Sequence, residues 1–460
     1  MINFILMIFI LAVPVCRDNK EISKTDLLEK SLFELKYPLS VERFYRNIRF
    51  DRAWISIGAA ESRTWTAMML LDCVLQYGLS HADYHPDQLV HSKLRRIFAD
   101  EKNISSHEST AFDIYLTDAI ITLINDLHFG KANPQWPRSR IDREVNAEFD
   151  AVTILQKALA SRQFLETILD VQPRTENYRA LQRYMVQIRG QYLDDCYTVP
   201  EAEARKIAIN MEREKWCEST PVPYIEVNLP SYILSYHTRD TIYSFKVVIG
   251  SKDKQTPELR SAITYLNTAP DWKIPQNIFT TEILPNALKN RTYLEVNHYT
   301  IYDPQGLAVV PTRAALYDIS RNPVGFSARQ SASREISLGR IAFHFPNDFG
   351  LYLFDGQKSS VFNEKERTWT NGCVAVQNAP QLAELLLSGD GQKMMVKELV
   401  ASADAYVPKN FILKNVIPFV ITYRTCEIKS RIPSFYDDPY GRDIQFEKAF
   451  YSDRLNNVNE

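Results

Sequence analysis

The chain has 460 residues, too many for one compact core, so two or three domains are expected. Hydrophobic residues make up 45% and charged residues 24%, as in ordinary globular proteins, and 14 Gly against 24 Tyr and 23 Phe exclude a low-complexity chain. A formal net charge of -2 leaves no basic surplus, so nucleic-acid binding is set aside.

Met1-Ile2-Asn3 precede an apolar run, Phe4 to Val15, closed by Cys16. The run is too short to cross a bilayer and suits the hydrophobic part of a secretion signal over residues 1–16, although no Lys or Arg stands ahead of it. Export to the periplasm or cell envelope is the expectation. Cys16 is a candidate for lipid attachment to a membrane, with Val13-Pro14-Val15 in place of the small residues that usually precede such a cysteine.

Residues 22–190 read as helical. Ala59 to Leu75, Phe112 to Leu127 and Val152 to Ala160 carry apolar residues at helical spacing. Pro86, Pro134, Pro137 and Pro173 fall between these stretches as boundaries. Thr110 and Asp113 have the spacing of a capping box, so Thr110 is expected to cap the helix that follows. This half is expected to be a scaffold, joined to the rest by residues 191–222.

From Pro223 the texture changes. Tyr224–Leu229, Ser231–Tyr236 and Thr241–Ile249 are short, rich in β-branched and aromatic residues, and separated by turn chemistry at Pro230 and Arg239-Asp240. They predict an antiparallel meander. Residues 256–339 form a mixed insertion, with a strand near Ser261–Leu266 and a helix near Thr281–Leu288. Strands return at Arg340–Phe345 and Leu351–Phe354 across the turn Pro346–Gly350. A helix over Gln381–Leu387, a last strand over Pro418–Tyr423 and a tail over 446–460 complete a β-rich domain at 223–445. The fold class is α+β: an all-α domain followed by a β-rich domain with a capping insertion.

Six cysteines are present: Cys16, Cys73, Cys196, Cys217, Cys373 and Cys426. None has the spacing of a zinc site or a redox pair, and no metal or cofactor is implied. With Cys16 removed or lipidated an odd number remains. That suits one free nucleophilic thiol, and scattered core cysteines account for it equally well. Cys373 lies in Thr370-Asn-Gly-Cys-Val-Ala-Val376. A Gly directly before a cysteine lets the backbone turn sharply and aim N–H groups at a carbonyl attacked by sulfur. Taken alone, such a cysteine is more often a small core residue.

The surrounding segments widen the comparison. Gly339-Arg-Ile-Ala-Phe-His-Phe-Pro-Asn347, Leu351-Tyr-Leu-Phe-Asp355 and the Cys373 loop resemble, in that order, the catalytic core of the large L,D-transpeptidases of Gram-negative bacteria. That family shows a GR-x-x-F-x-x-PN hairpin, a YLHD strand and an S-x-GC-V-R-V loop. Gly78–Tyr84, Leu116–Ala119 and Asp126–Gly130 resemble its helical scaffold. Tyr224–Pro230, Val247–Gly250, Thr256-Pro257 and Trp272–Pro275 resemble its first catalytic strands and capping insertion, and Asp438–Asp443 its C-terminal end.

The resemblance implies a two-step acyl transfer on peptidoglycan stem peptides. The Cys373 thiolate attacks the carbonyl between the third residue of a stem tetrapeptide and its terminal D-Ala; D-Ala leaves and a thioester remains. An amine, typically the diaminopimelate side chain of a neighbouring stem, then forms a 3→3 crosslink. The Gly372 and Cys373 backbone would supply oxyanion donors. Tyr352, Thr370 and Asn371 would line the substrate site, with Trp272 in the cap or, equally, in a core.

Three departures stand out. Phe354 occupies the position of the catalytic histidine, and phenylalanine transfers no proton. Ala375 replaces an arginine. Only Gly190 to Arg205 lies where a peptidoglycan-binding module is usual. If the hairpin turn spans Pro346–Gly350, His344 faces Tyr352 and shares a face with Phe354, which makes it a candidate replacement base or a locally bonded histidine. A slip of one residue would turn it away. The leading expectation is a transpeptidase; the alternative is a degenerate homologue that binds peptidoglycan or an envelope partner. A third reading, an inert β domain carried by a helical scaffold, leaves the Gly-Cys loop unexplained.

Overall fold

The computed structural model describes residues 35–458 apart from 56–58, 100–105, 145–147, 189–201, 218–219, 291, 332–338, 357–359 and 430. The expected signal with Cys16, and Cys196 with most of the segment expected to replace the binding module, lie outside the described residues. So do the side chains of Trp272 and 452–458. Two compact units result. One contains residues up to 217 with 428–432 and 445–460; the other contains 218–427 with 433–444.

The first unit is helical. Its longest helix, Ser106–His128, buries Phe112, Leu116, Ile120, Leu123, Ile124 and Leu127 completely, and its apolar residues are not confined to one stripe because it runs through the core. Thr110 is therefore not the cap. The helix already begins at Ser106, since nothing in Ser106-His-Glu-Ser breaks it, and Thr110 is buried inside it. Val152–Ala160 lies within the helix Ala151–Ala160, capped by the Asp150 carboxylate, which accepts the N–H groups of Val152 and Thr153. Three further carboxylates secure the first described residues. Asp118 accepts from the backbone of Lys36 and Tyr37, Asp142 from Leu39 and Ser40, and Asp113 from Ala53, Trp54 and Ile55. Part of the expected connector, Ala202–Lys215, is a helix of this unit, and the expected tail is helical within Arg442–Val458. No helix among the described residues is long and apolar enough to cross a membrane.

The second unit is built on a sheet of nine strands: β1 (Tyr224–Asn228), β2 (Ile233–His237), β3 (Ile242–Gly250), β4 (Leu259–Thr268), β8 (Ile341–His344), β9 (Tyr352–Asp355), β10 (Thr368–Thr370), β11 (Val374–Val376) and β12 (Lys409–Thr422). Their order is β10-β3-β11-β9-β8-β4-β12-β1-β2, and β2 also pairs with β3, so the sheet closes on itself as a barrel with β10 added at one seam. The meander β1-β2-β3 is antiparallel, as its alternating pattern predicts. The barrel interior holds alternate side chains, among them Ile225, Val227, Leu234, Val247, Phe343, Leu353 and Val376.

Two boundaries differ from the sequence reading. Strand β4, placed in the insertion by the limits 256–339, is hydrogen bonded between β8 and β12 and belongs to the barrel. The insertion proper follows Thr268 and has its own core around Phe279, Leu284, Ile301 and Leu316, with the small sheet β5 (Trp272–Lys273), β7 (Ser327–Gln330) and β6 (Tyr299–Tyr302). Its helix is longer than expected, running from Gln276 to Lys289 with one wide turn at Phe279–Ile283, just ahead of Pro285, which lacks an N–H. Strand β12 starts earlier than Pro418, and a short hairpin, Cys426–Lys429 with Ile432–Phe435, follows it.

Candidate active site

The site is assembled where β11 enters the barrel between β3 and β9. It runs antiparallel to β3 and parallel to β9, with Val374 opposite Leu353 and Ala375 opposite Phe354. The residues before it, Thr370–Cys373, make a tight turn with Gly372 at φ +98°, a conformation glycine adopts without strain. Each part of that turn is tied down. The Thr370 carbonyl accepts the Ser251 N–H at 2.9 Å, and the Thr370 hydroxyl donates to the Cys373 carbonyl. The Gly372 carbonyl accepts the Thr256 hydroxyl at 2.8 Å. Asn371 is exposed, and its Oδ1 accepts from Lys254 Nζ at 3.3 Å.

Cys373 is half-buried against the barrel core. Burial pushes its thiol up to about 11, a backbone hydrogen bond with Tyr352 offsetting part of the rise. Tyr352 is brought beside it. Its phenol is held far above its usual range, first by burial and then by the Cys373 charge. The chain thus places Cys373, Gly372, Thr370, Asn371 and Tyr352 together, whereas Trp272 is carried by β5 in the insertion.

The hairpin β8–β9 has the register expected from its turn: His344 opposite Tyr352, Phe343 opposite Leu353, Ala342 opposite Phe354. Asn347 locks it, donating to the carbonyls of Phe345 and Leu351 and accepting the N–H groups of Phe349 and Leu351. His344, however, is occupied. Its Nε2 lies 2.8 Å from Asn267 Oδ1, and its ring stacks on Tyr265 at 4.4 Å and on Tyr352 at 5.8 Å. Burial lowers its pKa to about 4. Burial thus disfavours both the Cys373 thiolate and the His344 imidazolium, so passing a proton from Cys373 to His344 is uphill.

Phe354 projects to the other side of β9 from Leu353 and packs with Val361, Val248, Phe362 and Ala375 in a small apolar cluster. Sequence reasoning treated Phe354 and Ala375 as two separate departures. They are cross-strand partners and form one site, a relation that depends on the β9–β11 register. Sequence reasoning also missed Thr256, whose hydroxyl reaches across 116 residues to Gly372; the Thr-Pro dipeptide was its only signal. Arg340 was legible as part of the GR hairpin. Its side chain pairs with buried Asp355 at 3.4 Å and with Asp404 at 2.7 Å, securing the far end of β9.

Residues 40–185 match the model of a scaffold domain, and residues 222–397 match the model of an L,D-transpeptidase catalytic domain. This chain carries an L,D-transpeptidase catalytic domain preceded by a scaffold domain. It is also 30% identical over 226 residues to a Haemophilus influenzae protein provisionally named an L,D-transpeptidase. That alignment covers 49% of this chain and 45% of the relative, so the chain matches less than half the relative's length. Within the transpeptidase domain, Phe354 of β9 stands opposite Ala375 of β11, beside the turn that carries Cys373.

Proposed function

We propose that the transpeptidase domain binds peptidoglycan stem peptides at the Cys373 loop and is a degenerate member of its family, without turnover near neutral pH. The observation that carries this reading is the packing of Phe354 against Ala375, Val248 and Phe362 where a proton carrier is expected. No side chain of that cluster can take the thiol proton or give one to the departing amine. Burial pushes the Cys373 thiol up to about 11, which favours its neutral form at pH 7. The location at the periplasm or cell envelope, and membrane attachment through Cys16, belong to the same proposal and rest on the apolar run at the N-terminus.

A second reading, cysteine acyl transfer from a stem tetrapeptide to an amine to make a 3→3 crosslink, is favoured by the intact Gly372-Cys373 turn. Intact-mass measurement with a stem tetrapeptide and with a carbapenem separates the two. Under the degenerate reading the wild-type chain stays unmodified at pH 7 while it still binds the tetrapeptide. Acylation of wild type that disappears in Cys373→Ala would overturn that reading and establish the second.

A further inference from the structure

The turn that carries Cys373 is held by a hydrogen-bonded chain of residues that the reaction scheme does not use. Thr256 is fully buried and its hydroxyl is used in both directions: it accepts the Gly250 N–H at 2.9 Å and donates to the Gly372 carbonyl at 2.8 Å. Tyr440 closes the loop between them. Its hydroxyl donates to the Gly250 carbonyl at 2.7 Å and accepts the Thr256 N–H at 3.2 Å. Tyr440 is held in turn. Its N–H donates to the Tyr423 hydroxyl at 2.9 Å, and that hydroxyl bonds Asp438, whose carboxylate also accepts the Arg442 and Asp443 N–H groups. The Arg442 guanidinium covers both tyrosine rings, at 4.6 and 5.2 Å from their centres. The approach is close enough that a Cβ at Gly250 would meet the Gly372 Cα at 3.0 Å and the Lys254 carbonyl oxygen at 2.2 Å.

The consequence follows from peptide geometry. A peptide unit is planar, and in the trans form its C=O and N–H point in opposite directions. The cis bond among the described residues is Val222-Pro223, so the Gly372–Cys373 unit is trans. Fixing the Gly372 oxygen on Thr256 therefore aims the Cys373 N–H away from Thr256.

We infer that Thr256, steadied by Tyr440, is the positioning residue that sets the direction of the Cys373 N–H, the backbone donor offered to the carbonyl of a bound stem peptide. The inference rests on the proposed binding of stem peptides at this loop. It deepens that reading by naming what recognises the carbonyl. It also explains why the Asp438–Asp443 segment, far along the chain from Cys373, bears on the site.

The test uses the full chain labelled with 15N-cysteine, in which the Cys373 amide is assigned by its loss in Cys373→Ala. Thr256→Val keeps the shape and removes the hydroxyl. It is expected to move the Cys373 amide resonance and to weaken binding of a stem tetrapeptide by about tenfold or more. Thr256→Ser is expected to keep the wild-type resonance and to bind within about twofold of wild type. Tyr440→Phe should shift the same resonance, and it carries the test if Thr256→Val fails to fold. An unmoved Cys373 amide in Thr256→Val or in a folded Tyr440→Phe, or a Thr256→Ser variant that behaves like valine, would sink the inference. If wild type does not bind the tetrapeptide, the proposed function fails, and the resonance measurements still decide whether Thr256 sets the peptide.

Discussion

The two flanks of strand β11 differ sharply. On one, the turn Thr370–Cys373 is held by hydrogen bonds to Ser251 and Thr256 and, through Thr256, by Tyr440. On the other, Phe354 and Ala375 face each other in a small cluster with Val248, Val361 and Phe362. Under the proposed function the first flank orients a carbonyl, and acyl transfer would require the second to move a proton. Because they are built from different strands and different chemistry, one can be complete while the other is not. Orientation and proton transfer are separable contributions to acyl transfer, each worth orders of magnitude on its own.

Restoring the second flank should have the largest effect. Phe354→His combined with Ala375→Arg is expected to raise carbapenem acylation of Cys373 at pH 7 by about a hundredfold or more over wild type, read by intact mass. No gain in a folded double variant would mean that the apolar cluster is not what silences the thiol. The pH dependence of the wild-type thiol comes next. Alkylation of Cys373, taken as the difference from Cys373→Ala, should rise about tenfold per pH unit above neutrality and level off only near 11, because burial keeps the neutral thiol favoured until then. A plateau near pH 8 would show a thiolate stabilised by a group these contacts do not contain.

The remaining predictions concern the hairpin that carries Phe354. Asn347→Ala removes four hydrogen bonds around the β8–β9 turn and should lower stability by about 1–3 kcal/mol in denaturant unfolding. An unchanged midpoint would place control of the register elsewhere, in the barrel core. The smallest effect is expected at His344. His344→Gln should leave the alkylation rate of Cys373 within about twofold and cost about 1 kcal/mol through the lost bond to Asn267. A large fall in thiol reactivity would return His344 to the role of base.

Much of this arrangement is legible without coordinates, and the reasons are local. The β8–β9 register follows from turn length, because side chains alternate and Asn347 closes the turn on itself. The meander follows from alternation between turn residues. Thr110 misled because a capping pattern has the same spacing whether it starts a helix or lies within one. Strand β4 was assigned to the insertion because alternation reports a strand and not the sheet it joins.

The amino-acid sequence by itself determined the order of a helical and a β-rich unit, the Gly372-Cys373 turn, and the absence of a histidine at Phe354. Each depends on residue type or on spacing within a few positions. Only the tertiary structure decided that Phe354 and Ala375 form one apolar site, that His344 is bonded to Asn267 and poorly basic, and that Thr256 holds the Gly372 carbonyl while Tyr440 bonds Thr256 and Gly250. Those facts join residues up to 190 positions apart. Burial and hydrogen bonding across such separations exist only once the barrel has closed.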